Sequence, residues 1–89
     1  MAIDTTGIPT RMTESQLKQF ARCCKFIDGV SKVSINRDFG QIFIYVHHDT
    51  DLEESNIKRY LKGMIKDTNF EVEHTTSTRA FRVYRVWLP

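Results

Sequence analysis

Apolar positions along the chain switch between two periods, and the switches divide it into elements. Leu17, Phe20, Cys24 and Ile27 recur at i, i+3, i+7 and i+10, the spacing of one buried helix face. Lys18, Arg22 and Lys25 fall on the opposite side. Thr13 precedes this run and Gln16 follows three residues later, the spacing in which side chain and backbone cap each other. Gly29 supplies a stop. From Ser31 to Arg37 the period drops to two, with Val33 and Ile35 alternating against Ser34 and Asn36, as in a half-buried strand. Asp38-Phe39-Gly40 predicts a short turn with glycine at a left-handed position. Gln41–His47 predicts the returning strand, with Ile42, Ile44 and Val46 on one face and Phe43, Tyr45 and His47 on the other.

The second half follows the same plan. His48–Asp51 is polar loop, and Asp51 with Glu54 repeats the cap-plus-three spacing. Ile57, Tyr60, Leu61, Met64 and Ile65 predict the apolar face of a second helix that ends at Asp67-Thr68-Asn69. Lys58, Arg59, Lys62 and Lys66 form its basic outer side. Phe70, Val72 and His74 alternate with Glu71 and Glu73 in a third strand, residues 69–75, and Thr75–Thr78 turns. Arg79–Trp87 predicts a fourth strand, with Phe81, Val83 and Trp87 on one face and Arg82, Tyr84 and Val86 on the other. Leu17/Ile57, Lys18/Lys58 and Phe20/Tyr60 match at an offset of forty, whereas the strands match poorly.

The order α-β-β-α-β-β predicts the α+β class: a two-layer sandwich, a four-stranded antiparallel sheet with two helices on one face. A right-handed crossover makes the second and third strands parallel. The fourth then fits between them, because it alternates along its whole length as a central strand should. That is the ferredoxin-like order with its first strand supplied from the C-terminal end. The alternative sets a strand from residues 1–8 in the centre and leaves the fourth on an edge. Residues 1–12, with Gly7 and Pro9, read as a flexible N-terminal arm, and residues 13–89 as one domain.

Eighty-nine residues suffice for one modest core and leave little room for a deep cleft. Thirteen basic against eleven acidic residues give a net charge of +2, too small to imply nucleic acid by itself. The last eleven residues carry Arg79, Arg82 and Arg85 and no acid. The two cysteines, Cys23 and Cys24, are adjacent and cannot form an ordinary structural disulfide with each other. They read as free thiols in a reducing compartment, hence a cytoplasmic protein. The longest apolar run, Ile42–Val46, is far shorter than a membrane span. Residues 1–10 lack the basic-then-apolar pattern of a signal peptide.

Two resemblances follow from these residues. Gly29-Val30, Val33, Ile35-Asn36, Gly40, Ile44 and Val46, then Ile57, Ile65 and Phe70-Glu71-Val72, resemble heavy-metal-associated domains over residues 16–74. The resemblance implies the ferredoxin-like fold. It does not carry over the metal, because that family's Cys-x-x-Cys is replaced by Gly7-Ile8-Pro9-Thr10-Arg11-Met12. Phe43 and Tyr45, two apart on one strand face, are similar to the stacking aromatics of RNA-recognition motifs, with Arg82 and Tyr84 able to join them. The basic-Gly-aromatic-Gly run of those motifs is not matched by Arg37-Asp38-Phe39-Gly40-Gln41.

No Gly-rich phosphate loop, nucleophile elbow, paired-carboxylate motif or metal-ligand spacing occurs. His47 and His48 point to opposite faces of a strand end, which suits neither a metal nor acid–base work beside Asp49, Asp51 or His74. Cys24 falls on the buried helix face, and both cysteines sit away from the helix N-terminus that would lower a thiol pKa. The expectation is therefore a non-catalytic module without cofactor or metal. Phe43, Tyr45, Arg82 and Tyr84 form its partner-binding face, and Lys18, Arg22, Lys25, Lys58, Arg59, Lys62 and Lys66 a secondary basic patch. The expected partner is a larger protein or a second copy of the chain. Single-stranded RNA or DNA is the alternative, a small enzyme or metal carrier is the third reading, and no membrane is expected.

Overall fold

A computed structural model describes residues 11–89. Its elements are α1 (Glu14–Lys25), β1 (Val30–Asn36), β2 (Gln41–His47), α2 (Glu54–Met64), β3 (Glu71–Ser77) and β4 (Phe81–Trp87). Helix α1 starts with the reciprocal cap: the Gln16 N–H donates to Thr13 Oγ1 at 3.1 Å, and the Thr13 N–H to Gln16 Oε1 at 2.9 Å. It buries Leu17, Phe20, Ala21 and Cys24. Gly29 then takes φ +101°, which reverses the chain into β1.

Helix α2 is shorter than the sequence pattern suggests. Its N-cap is Glu53, not Asp51, and the Glu53 N–H donates to Asn56 Oδ1 at 3.0 Å. Ile65 is already extended. The helix buries Ile57 and Leu61, while Tyr60 is 55% and Met64 41% exposed. The expected five-residue apolar face is thus narrowed. Tyr60 sits about 100° around the axis from Leu61, and a helix lying on the β3 side of the sheet covers only a narrow stripe.

The four strands form one sheet in the order β1-β2-β4-β3, and every neighbouring pair is antiparallel. The last strand therefore runs between β2 and β3, as the alternation over Arg79–Trp87 suggests. Ile42, Ile44, Val46, Val72, Tyr84 and Val86 join the buried residues of both helices in one core. Within it the Phe20 and Phe70 rings meet edge-on, 5.3 Å between centroids. Two irregularities were not legible in the sequence: the register slips between Val30 and Lys32, and again between His74 and Thr76. Beside the second slip the His74 N–H, on an edge strand, donates to Glu54 Oε2 of α2 at 2.9 Å.

Arg11 and Met12, expected in the arm, belong to the domain. Met12 is buried in the core, and its N–H donates to the Gly40 carbonyl at 3.1 Å. The Arg11 guanidinium donates to the carbonyls of Asp38 and, at 2.7 Å, Arg37. Gly40 turns the β1–β2 hairpin at φ +62° and lies so close to this segment that a Cβ there would stand 2.8 Å from Arg11 Cβ. The rest of the expected arm, and the alternative central strand from residues 1–8, lie outside the described residues.

Candidate functional site

Both helices pack against one face of the sheet, which leaves the other as the candidate surface. Cross-strand register assigns its residues. Ser34, Phe43, Arg85 and Glu73 form one row, and Lys32, Tyr45, Val83 and Thr76 the next. His47 pairs with Phe81 beyond them, and Trp87 follows Arg85 by two residues on the same side. Antiparallel pairing puts directly opposed side chains on one face, so this face is aromatic along β2 and β4.

The rings are organised. Tyr45 and Phe81 meet edge-to-face with centroids 5.9 Å apart, and His47 lies 4.7 Å from Phe81. Lys32 Nζ stands 5.1 Å over the Tyr45 ring, and the Arg85 guanidinium 5.0 Å over Trp87. Arg85 is also ion-paired to Glu73 across β3–β4. Phe43, Tyr45, Phe81, Arg85 and Trp87 are all half-buried, whereas Val83 is 4% exposed. Arg85 Nε and the Trp87 indole N–H are each shielded from water and find no acceptor among the described residues.

The expected site is divided by this arrangement. Phe43 and Tyr45 lie on the outer face, but Arg82 and Tyr84 lie on the helix side, opposite Val46 and Ile44 respectively. Tyr84 is 4% exposed and part of the core. Arg82 threads its head to the edge of the core, where the β2–α2 connection surrounds it. It donates to the carbonyls of His48 (3.1 Å), Thr50 (2.9 Å) and Leu52 (2.9 Å), and to the Tyr84 hydroxyl (3.2 Å). A charged residue reads as outward in a pattern, yet a long stem with a head satisfied by carbonyls can face inward. The residues that the sequence reading placed on the opposite face, Phe81, Val83 and Trp87, are the ones that join Phe43 and Tyr45. Only the β2–β4 register decides this, and a helix and a strand separate the two strands in the chain.

The secondary basic patch is on the helix layer. Lys58 is engaged by Glu71 at 2.6 Å, and among the described residues no ion pair is formed by Lys18, Arg22, Lys25, Arg59, Lys62 or Lys66. Phe26, at the end of α1, is 77% exposed, and Phe39 in the hairpin turn 65%. At the other side of the hairpin Arg37 grips Glu14 with two nitrogens, Nε at 3.0 Å and Nη2 at 2.9 Å. These hydrogen bonds hold the Glu14 carboxyl below its ordinary range and raise Arg37.

The remaining polar groups are occupied locally. His48 Nε2 lies 2.7 Å from the Thr78 carbonyl, His47 Nε2 3.2 Å from Ser31 Oγ, and His74 Nε2 3.0 Å from Ser77 Oγ. Among the described residues no three His, Cys, Asp or Glu side chains converge as metal ligands would. Cys24 is buried, and desolvation, with Cys23 beside it, pushes its thiol pKa up to about 12. Such a thiol is a poor nucleophile and a poor ligand at neutral pH. An open cavity of about 420 Å³ is lined by Glu53, Glu54, Ser55, His74, Arg82 and Tyr84. Its one guanidinium is already taken up by backbone carbonyls. No helix among the described residues is long and apolar enough to cross a membrane. Comparison of the chain with protein-family models, with curated proteins and with solved structures gave no match.

Proposed function

We propose that the chain is a non-catalytic, cytoplasmic binding module that acts as an adaptor or regulator by docking its outer sheet face on a protein surface. The observation that carries this reading is the continuous strip of Phe43, Tyr45, Phe81 and Trp87, with Arg85 laid on Trp87, on a face to which neither helix contributes. Aromatic residues and arginine are the side chains that supply most of the energy at protein interfaces. The strand order β1-β2-β4-β3 supports the ferredoxin-like description, in which β4 takes the place of the family's first, central strand. In this reading the resemblance to heavy-metal-associated domains concerns scaffold alone.

Single-stranded nucleic acid would use the same rings as stacking platforms, but Lys32 and Arg85 already lie over Tyr45 and Trp87. Glu73 neutralises Arg85 as well. Both features favour a protein partner. The test is capture from native lysate, with and without nuclease, by wild type and by Phe43→Ala/Tyr45→Ala of unchanged circular dichroism. A defined protein that survives nuclease and is lost with the double variant supports the proposal. Nuclease-sensitive nucleic acid, lost at moderate salt, replaces it with the alternative. Equal capture by both chains refutes the site.

A further inference from the structure

We infer that the groove between α1 and α2, on the side of the domain away from the outer sheet face, takes an amphipathic helix of another protein that carries carboxylates beside its apolar stripe. The inference goes beyond docking through the sheet face and does not rest on it.

Two ion pairs at the margins of the helix layer define the groove. Sheet order puts β1 and β3 at opposite edges, with α1 packed over β1 and β2 and α2 against β3. Glu14 ties α1 to Arg37, just past β1, and Lys58 ties α2 to Glu71 of β3. These residues mark the outer flanks of the two helices. At ~100° per residue, Cys23 lies about 180° round α1 from Glu14, and Tyr60 about 200° round α2 from Lys58, so both look into the space between the helices. Met64 follows Tyr60 by one turn on the same side, and Phe26 and Gly63 face outward above it. A cavity of about 410 Å³ at one end of this space is lined from both sides, by Asp28 and Gly29 after α1 and by Asn56 and Tyr60 of α2.

Three features make it a place to dock. Phe26, Tyr60 and Met64 are three of the four large apolar side chains left exposed among the described residues, and all three stand here. Gly63 has open space where a Cβ would be; a glycine inside a helix weakens it, and at this position it lets a second backbone come close. Arg22 and Arg59 stand on the outward rims, with Lys62 one turn beyond Arg59. Unlike Lys58 and the charges of the sheet face, none of these three makes an ion pair or side-chain hydrogen bond among the described residues.

Charge selects the occupant. A partner that lays apolar side chains on Phe26, Tyr60 and Met64 must also bring anions to Arg22, Arg59 and Lys62, which is the pattern of an amphipathic helix with acidic flanks. Asp28 and Asp51 line the end of the groove at the start of α2, so the partner's helix enters with its N-terminus, the positive end of its dipole, over them. A bilayer would meet the cations too, but it needs an apolar stripe turned outward, and each helix here turns its main stripe in to the sheet. A phosphate backbone is held by cations alone and leaves the apolar groove uncovered.

The experiment selects helices of about 18 residues on the full chain from a displayed library with one face apolar and the rest random, then titrates the selected peptide by fluorescence anisotropy. Aspartate and glutamate should be enriched beside the apolar face. Tyr60→Ser/Met64→Ser and Arg22→Glu/Arg59→Glu should each weaken the peptide at least about tenfold. Gly63→Gln should weaken it as well, although that change stabilises the helix. All five positions are exposed, and unchanged circular dichroism confirms that each variant folds. A peptide with lysine in place of its carboxylates should bind Arg22→Glu/Arg59→Glu and not wild type. Selection without acidic enrichment, binding indifferent to these variants, or no rescue by the lysine peptide overturns the inference. So does binding of phosphatidylserine vesicles or of oligo(dT), but not of any selected peptide, through the same residues. Phe43→Ala/Tyr45→Ala should bind the peptide as wild type does. If that variant alone loses it, the helix groove is refuted and the sheet face is left as the docking surface.

Discussion

Arg82→Met removes a guanidinium from the one place where it holds a loop to the sheet. Four of its N–H groups are used, three of them on carbonyls of residues 48, 50 and 52. A hydrogen bond from a charged donor contributes roughly 1.5–3 kcal/mol net. The three carbonyl bonds share one cation and are not additive, and the freed carbonyls lie close enough to the surface to find water. A loss of ~3 kcal/mol is therefore expected. A domain of 89 residues has ~4–13 kcal/mol in total, so this is a large share. Urea unfolding followed by Trp87 fluorescence measures it, and the midpoint should fall with an unchanged slope. In a thermal scan the midpoint should drop by about 12–24 °C. Arg82→Lys should recover little, since one ammonium cannot span three carbonyls from that stem. A loss below ~1 kcal/mol, or full recovery by lysine, would refute the staple. So would a folded Arg82→Met chain that has lost partner capture, because then Arg82 belongs to the docking face after all.

Four further substitutions test other parts of the chain. Cys24 has a raised folded pKa, so its contribution is complete below the unfolded value near 9 and is lost as pH rises toward about 12. At pH 10 wild type should be less stable than at pH 8 by on the order of 1 kcal/mol from this thiol alone, and Cys24→Ala should lack that increment when midpoints are compared. Gly40→Ala, at φ +62° against Arg11 and Met12, should lose at least ~2 kcal/mol, while Gly63→Ala, in α2 with open space around it, should gain ~0.5–1 kcal/mol; paired denaturation curves check both signs. Thr13→Ala should lower stability by ~1 kcal/mol through loss of the α1 cap, with amide exchange accelerated in the first turn of α1.

Most of the fold was legible because local chemistry and global arrangement agree. Thr13 with Gln16, Gly29, Gly40 and the two-residue alternation of Gln41–His47 each act within a few residues, and each element stands where they point. The position of β4 was also legible, since a strand apolar on alternate positions throughout needs two neighbours. What stayed hidden depends on relations between distant residues. Whether Arg82 or Arg85 shares a face with Tyr45 is a question of parity across thirty-odd residues, and both faces of β4 carry apolar side chains. Tyr60 and Met64 looked buried because helical spacing reports a stripe but not how wide a neighbour covers it. Met12 looked like arm because a single apolar residue has no period.

The central place of β4 has a consequence for how the chain is made. Synthesis delivers α1, the β1–β2 hairpin, α2 and β3 before the strand that joins them. Until Phe81–Trp87 leaves the ribosome, β2 has one open backbone edge and β3 lacks the strand it pairs with. The nascent chain therefore holds an unsealed hairpin with Ile42, Ile44 and Val46 only partly shielded, the state in which strands recruit wrong neighbours. Closure of the sheet is a single late event, and slow translation of the β3–β4 segment would prolong the interval in which a chaperone has something to hold.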